Sequence, residues 1–261
     1  MDLVGRVALV TGGGVRIGAQ LCLALAEAGC DVVVHYAHSR DAAEHTVGRI
    51  REIGRTAWAV HADFSRDGAI AASRLFGEVL RRAPKVDLLI NNAAIFGHET
   101  LVGTTAEVWR RYCAINLEAP LFLCRAFAEY VATHPSTANV HDSVVAKIVN
   151  ILDWRALRPI SGGTAYAVTK AALAALTIRL AQELAPRITV NGIAPGAILP
   201  PPGGDEEELR QRAHRVPLRR PGTPQDVADA VLFLLRSDFV TGEIIHVSGG
   251  EGNVTAFPET D

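Results

Sequence analysis

The chain has 261 residues, a length that fits one large α/β domain or two small ones. Its formal charge of −2 argues against nucleic acid or an anionic membrane as a partner. Apolar residues make up 49% of it, yet no apolar run is long enough to span a membrane.

Val7 to Val10 is a short continuous apolar run, the pattern of a strand buried on both faces. No basic stretch precedes it, so we expect no signal peptide and a cytoplasmic protein. Thr11-Gly12-Gly13-Gly14 follows, then a helix from Ile17 to Ala28 that Gly29 closes, then a strand from Asp31 to Tyr36. Strand, glycine turn, helix and strand within about thirty residues form the setting in which a glycine turn lets backbone N–H groups approach a pyrophosphate.

The alternation continues. Helices are expected at Asp41 to Ile53, Ala69 to Arg82, Thr105 to Ile115 and Ala119 to Ala132, and strands at Thr56 to His61 and Val86 to Ile90. The stretch 134–142 reads as a polar surface loop. A strand at Val144 to Ile151 delivers Asp153, and a helix runs from the Tyr166 region to about Ala185. A strand at Ile188 to Ile193 leads to Pro195-Gly196 and a Pro/Gly-rich stretch, with a substrate loop expected near 197–215. Short helices at Glu206 to His214 and Pro224 to Leu235 precede a last strand at Glu243 to Val247, and the tail has no clear period. No linker divides the chain. We therefore expect a single-domain, Rossmann-like α/β fold, a doubly wound parallel sheet with helices on both faces. Cys22, Cys30, Cys113 and Cys124 lie scattered in apolar segments, and the histidines have no HExxH or CxxC partner. They predict neither a disulfide framework nor a metal site.

The chemistry concentrates after the strands, where such sheets bind ligands. Tyr166 and Lys170 stand one helical turn apart on one face, so the ammonium favours phenolate and lowers the tyrosine pKa. After the second strand come His35, Tyr36, His38, Ser39 and Arg40, with no acid before Asp41. That set suits a ribose 2′-phosphate, hence NADP over NAD. Asp63 is either an acceptor for the adenine amino group or a helix N-cap.

Thr11-Gly12 with Gly18, Asn91-Asn92-Ala93-Ala94, Asn116, Tyr166-x-x-x-Lys170 and Pro195-Gly196 occur in the order and at the spacing of the short-chain dehydrogenase/reductase family, which the chain resembles from Val4 to Gly250. The resemblance implies an NADP(H) cofactor held by Gly12, Arg16, Ile17, Phe64, Asn92, Ala93, Ala94, Pro195, Gly196 and Ile198 along with the second-strand set and Asp63. It implies Tyr166 as proton donor, Lys170 on the nicotinamide ribose, Asn116 holding a water of a proton relay, and a homotetramer. Most members have glycine at the place of Arg16 and serine at the place of Asp153. Both departures, with TGGGVRIG, HYAHS and NNAAIF, are similar to the pteridine reductase and dihydromonapterin reductase branch. In that branch the arginine faces the cofactor phosphate and the substrate, and the aspartate hydrogen-bonds the pterin and works with the tyrosine. Phe96 matches the aromatic residue that stacks the ring. The branch usually has a basic residue before the serine, where this chain has His38; Arg40 would substitute. Taken singly, Phe96 also reads as core, Asp153 as a cap of the Trp154 turn, and Arg16 as the partner of a surface acid. The expected function is NADPH-dependent reduction of a small-molecule pterin. A ketone reductase of the same family and a non-catalytic NADP-binding regulator are the alternatives.

Overall fold

The computed structural model describes residues 1–134, 144–158, 161–201, 203–214 and 216–253. Alternation of side chains across the pleat decides the architecture. In strand β1 (Val7–Val10) every residue is buried. Val7 and Leu9 face one helical layer, and Ala8 and Val10 face the other. The same division holds in β2 (Asp31–Tyr36), with Val33 against Val32 and Val34, and in β4 (Leu88–Asn91), with Leu89 against Leu88 and Ile90. With β3 (Ala57–His61), β5 (Ala146–Ile151), β6 (Ile188–Pro195) and β7 (Ile244–Val247) they form one parallel sheet of order β3-β2-β1-β4-β5-β6-β7.

Helices α1 (Arg16–Glu27), α2 (Arg40–Glu52) and α8 (Pro224–Arg236) cover one face. Helices α3 (Gly68–Arg82), α5 (Ala119–Thr133) and α6 (Thr164–Leu184) cover the other, with Phe76 and Phe127 packed edge to face between α3 and α5. Fully burying a side chain of that size contributes about 1.5–3 kcal/mol. Strand order reverses at β1 and β4, and the crevice beyond their carboxyl ends is where such a sheet takes a ligand. Across β4, β5 and α6 a buried polar chain fixes the register. Asn91 Nδ2 donates to Asn150 Oδ1 at 2.9 Å, and Asn150 Nδ2 donates to Thr177 Oγ1 at 2.9 Å.

The expected elements are present with ends shifted by a residue or two, and two regions differ in kind. First, the two helices expected around residue 116 are one continuous rod. Helix α4 (Ala106–Cys113) passes through a π-helical turn, Ala114–Glu118, directly into α5. Pro120 has no N–H to offer the Asn116 carbonyl four residues earlier, so the α-helical ladder cannot run through this point. Second, the last turn of the tail is not periodless: Glu251–Asn253 forms a short 3₁₀ turn with Glu251 buried. The expected short helix α7 (Glu206–Ala213) is present; it packs through Leu209 on Ala197 and Val216 and brings Arg212 to the crevice. The loop expected at 134–142 lies outside the described residues beyond His134.

Candidate active site

A cleft of about 660 Å³ runs along the carboxyl ends of the strands, from Ser39 at the start of α2 to Tyr166 and Arg212. Its first end is the turn after β1. A side-chain carbon at Gly18 would stand 2.0 Å from the Gly12 carbonyl oxygen, so only glycine lets α1 start this close to the turn. Thr11 Oγ1 accepts from the backbone N–H groups of Asn92 and Ala93 at 2.9 and 3.0 Å. Asn92 Nδ2 donates back to the Thr11 and Gly12 carbonyls. The turn after β1 and the end of β4 are thereby locked together.

His35 completes this lock. The Gly12 N–H donates to its Nδ1 at 3.1 Å, which leaves Nε2 to donate to the Ala62 carbonyl at 2.9 Å. Both ring nitrogens are spent on the protein. The ring stacks on Phe64 at 4.7 Å, and burial pulls its pKa down to about 4. His35 lines the cleft, but it braces the turn and has no nitrogen left for a ligand. This corrects its expected role.

At the same end His38, Ser39, Tyr36 and Asp63 line the cleft, and Arg40 does not. Ser39 is the N-cap of α2, yet its hydroxyl makes no capping bond. The Asp63 carboxylate accepts from Ser65 N–H at 2.8 Å, while α3 is capped by Asp67. The helix-cap reading of Asp63 is therefore replaced by a local turn, with His38 Nε2 at 3.9 Å from its other oxygen.

Arg16 has φ 55°, a left-handed conformation that costs a non-glycine residue about 1 kcal/mol. The position therefore favours glycine on backbone grounds. Here the arginine is held by its guanidinium, which donates to the Pro200 carbonyl at 2.6 Å. The pairing with a surface acid, the alternative reading, is not formed among the described residues. Ile17, Ala94, Pro195, Gly196 and Ile198 line the wall near it.

The second end is built from side chains. Asp153 Oδ1 accepts from the Arg155 N–H at 2.8 Å and caps the turn Trp154–Ala156, while its Oδ2 accepts from the Tyr166 hydroxyl at 2.9 Å. One carboxylate thus both caps the turn and accepts from the Tyr166 hydroxyl. Phe96 meets Tyr166 edge on, with ring centroids 4.8 Å apart. The Arg155 guanidinium lies 5.5 Å from the Phe96 ring centre and 3.7 Å from Asp153 Oδ2. Lys170 is buried and donates to the Ile151 carbonyl at 2.7 Å; burial lowers its pKa to about 8.

Tyr166 departs from expectation. Its pKa is pushed well above the ordinary phenol value, first by burial and then by the charge and hydrogen bond of Asp153. Arg155, not Lys170, is the cation that opposes this rise. The Asp153 carboxylate stands on the hydroxyl itself, whereas the Lys170 ammonium is turned to a backbone carbonyl. Tyr166 therefore stands as a neutral, proton-bearing phenol at physiological pH.

Asn116 braces the site through its side chain. It is fully buried and does not line the cleft. Its Oδ1 accepts from Ile95 N–H at 3.0 Å, and its Nδ2 donates to the Ile95 carbonyl and to Thr169 Oγ1. The side-chain amide ties the Phe96 loop to α6 between Tyr166 and Lys170. Among the lining residues that escaped the sequence reading are Arg155, Glu99 and Tyr112, the last donating to Glu99 Oε2 at 3.0 Å. Tyr112 lies one helical turn before Asn116, and Arg155 two residues after Asp153, so spacing could have flagged both.

Residues 14–251 match a family model described as enoyl-(acyl carrier protein) reductase, and the chain belongs to this short-chain dehydrogenase/reductase family of oxidoreductases. It is 36% identical to an uncharacterized oxidoreductase of Methylorubrum extorquens, covering 95% of this chain and 98% of that one. It is 32% identical to the 3-oxoacyl-[acyl-carrier-protein] reductase FabG of Staphylococcus epidermidis, covering 95% and 99%. Among solved structures, FolM alternative dihydrofolate reductase 1 from Brucella canis, complexed with NADP, superposes with a TM-score of 0.87 at 30% identity, over 100% of this chain and 99% of that one. Among the described residues no helix is long and apolar enough to cross a membrane, and no group of ligating side chains could hold a metal ion.

Proposed function

We propose that the enzyme uses NADPH to reduce a C=N bond of a pterin, taking a dihydropterin or dihydrofolate to its tetrahydro form. The observation that carries this reading is the 2.9 Å hydrogen bond from Tyr166 to Asp153, beside the Phe96 ring. A carboxylate next to the proton donor would oppose the oxyanion that develops when a ketone is reduced. A pterin has ring N–H and amino groups for that carboxylate and a flat face for the phenyl ring.

NADP(H) fits the cleft. The glycine turn at the start of α1 suits a pyrophosphate, and the uncapped Ser39 with His38 at the start of α2 suits a 2′-phosphate. Arg16 would turn to the phosphates, and Lys170 to the ribose. Bound there, the dinucleotide supplies the hydride. The chain's own part is the proton. The heterocycle's N–H groups would take over Asp153, which frees the Tyr166 hydroxyl to turn to the ring nitrogen and donate. The raised pKa keeps that proton in place until it is needed. Asn116 holds Phe96 and α6 in register, and exposed apolar side chains on α6, Val168 and Ile178, suit subunit contacts of a homotetramer.

A 3-oxoacyl thioester reductase is the second reading, favoured by the identity to FabG. A non-catalytic NADP-binding regulator would have no use for the hydrogen-bonded Asp153–Tyr166 pair beside the buried Lys170. NADPH oxidation measured with dihydrobiopterin, dihydromonapterin, dihydrofolate and an acetoacetyl thioester separates the three. Turnover confined to the thioester would overturn the pterin reading, and no turnover with any of them would favour the regulator.

A further inference from the structure

Helix α7 brings one cation to the far end of the cleft, and that cation is anchored from behind. Arg212 Nε donates to Glu251 Oε1 at 3.2 Å, and its Nη2 donates to Oε1 and Oε2 at 3.0 and 3.3 Å. The Glu251 side chain is only 4% exposed, and Arg212 is the cation that faces it. It cannot shift, because the turn it sits on is tied to Ser248 by hydrogen bonds from the backbone N–H groups of Glu251 and Gly252. Gly196 lets the carboxylate lie against the end of β6: a side-chain carbon there would be 2.7 Å from Glu251 Oε2.

A guanidinium has five N–H donors in a rigid fork. Three contacts to Glu251 use the Nε and Nη2 side and leave both Nη1 hydrogens without a bond, on a residue that lines the cleft and is 32% exposed. Arg111 on α4 is a second lining cation, exposed and with no ion pair among the described residues. The other lining charges nearest the chemistry are spoken for. Asp153 takes Tyr166 and Arg155, Glu99 takes Tyr112, and Lys170 takes a carbonyl. The outer part of the cleft thus has cations to spare.

We propose that Arg212 contacts a carboxylate on the substituent of the substrate, with Glu251 as its positioning residue and Arg111 adding to the field. This rests on the pterin reading and narrows it to pterins that carry an anionic tail. It also gives the turn Glu251–Asn253 a role, as the brace of a specificity residue.

The test is steady-state kinetics with dihydrofolate, whose tail bears carboxylates, and dihydrobiopterin, whose tail is neutral. In wild type, the KM for dihydrofolate rises severalfold between low and high salt, while that for dihydrobiopterin moves less than twofold. Arg212→Gln lowers the ratio of kcat/KM for dihydrofolate over dihydrobiopterin at least tenfold, mainly through KM. Arg212→Lys recovers part of it, and Glu251→Gln lowers it severalfold. Equal effects of Arg212→Gln on the two substrates, or a salt response identical for both, would overturn the inference and leave the pterin reading standing. Absence of NADPH oxidation with either pterin would overturn both. The salt series needs no variant, so it decides even if the Arg212 variants fail to fold.

Discussion

The two ends of the cleft are built differently. At the end beside α1, nearly every polar side chain is already committed to the protein: Thr11 to Asn92 and Ala93, Asn92 to the turn, His35 to Gly12 and Ala62. What remains for a ligand at the turn is backbone, shaped by close approach at Gly18, with the Ser39 and His38 side chains beyond it. At the end beside α6, side chains meet side chains across elements far apart in sequence, as Phe96, Asp153, Arg155 and Tyr166 do. A backbone cradle can hold one cofactor through many changes of sequence. An end made of side-chain contacts can be retuned residue by residue, and the substrate is set there.

The sharpest way to break the comparison is at the Tyr166 hydroxyl. Tyr166→Phe keeps the ring beside Phe96 and removes the proton. Turnover should fall on the order of a hundredfold or more, while NADPH affinity, set at the other end, stays within a few-fold. Stopped-flow hydride transfer and a binding titration read the two separately. Near-normal turnover would remove Tyr166 from the mechanism.

His35 tests the opposite end. His35→Ala strands the buried Gly12 N–H and the Ala62 carbonyl, at about 1–3 kcal/mol each. Stability and NADPH affinity should fall together. The pH dependence has a defined sign. The folded pKa, about 4, lies below the ordinary 6.5, so the unfolded chain binds the proton more readily. Stability present above pH 6.5 is lost as pH falls towards 4, by roughly 3 kcal/mol at about 1.36 kcal/mol per unit. Urea unfolding at a series of pH values should show this loss in wild type and a shallower one in the variant.

A smaller effect comes from Phe96→Ala, which should weaken pterin binding by about 1–3 kcal/mol through lost stacking and burial, with the cofactor Kd unchanged. Ligand titration of the NADP complex measures it. Equal losses for pterin and NADPH would mean that Phe96 holds the fold of the loop and not the substrate.

Smallest is a step at Lys170. With its pKa near 8, Lys170 loses its charge as pH rises through that value, so NADPH should bind a few-fold more weakly at pH 9 than at pH 7. Lys170→Arg should flatten the step.

The same division explains what the sequence made legible. The buried strands and the glycine turn could be read because apolar runs and glycines write backbone geometry directly into the chain. His35 was placed in the cleft by position alone, and only the structure revealed that both its nitrogens were taken. The π turn was hidden because Pro120 reads as the start of a new helix, when it also removes a donor from the turn before it. The sign of the Tyr166 shift was missed because a one-turn spacing puts Lys170 on the same face without saying where its ammonium points. It points to Ile151, and Asp153, 13 residues from Tyr166, takes the hydroxyl instead. Arg212 and Glu251, 39 residues apart, had no local pattern at all.

The claim on which the account stands is that Asp153 fits the substrate end to a pterin. The direct measurement is steady-state kinetics of wild type and Asp153→Ser on dihydrobiopterin and on an acetoacetyl thioester, with the NADPH Kd determined for both proteins. The account predicts that wild type prefers the pterin. It predicts that Asp153→Ser loses pterin turnover by tenfold or more, equivalent to about 1.4 kcal/mol or more, with NADPH affinity nearly intact. A wild type that prefers the thioester, or an Asp153→Ser enzyme with unchanged pterin turnover, would contradict it.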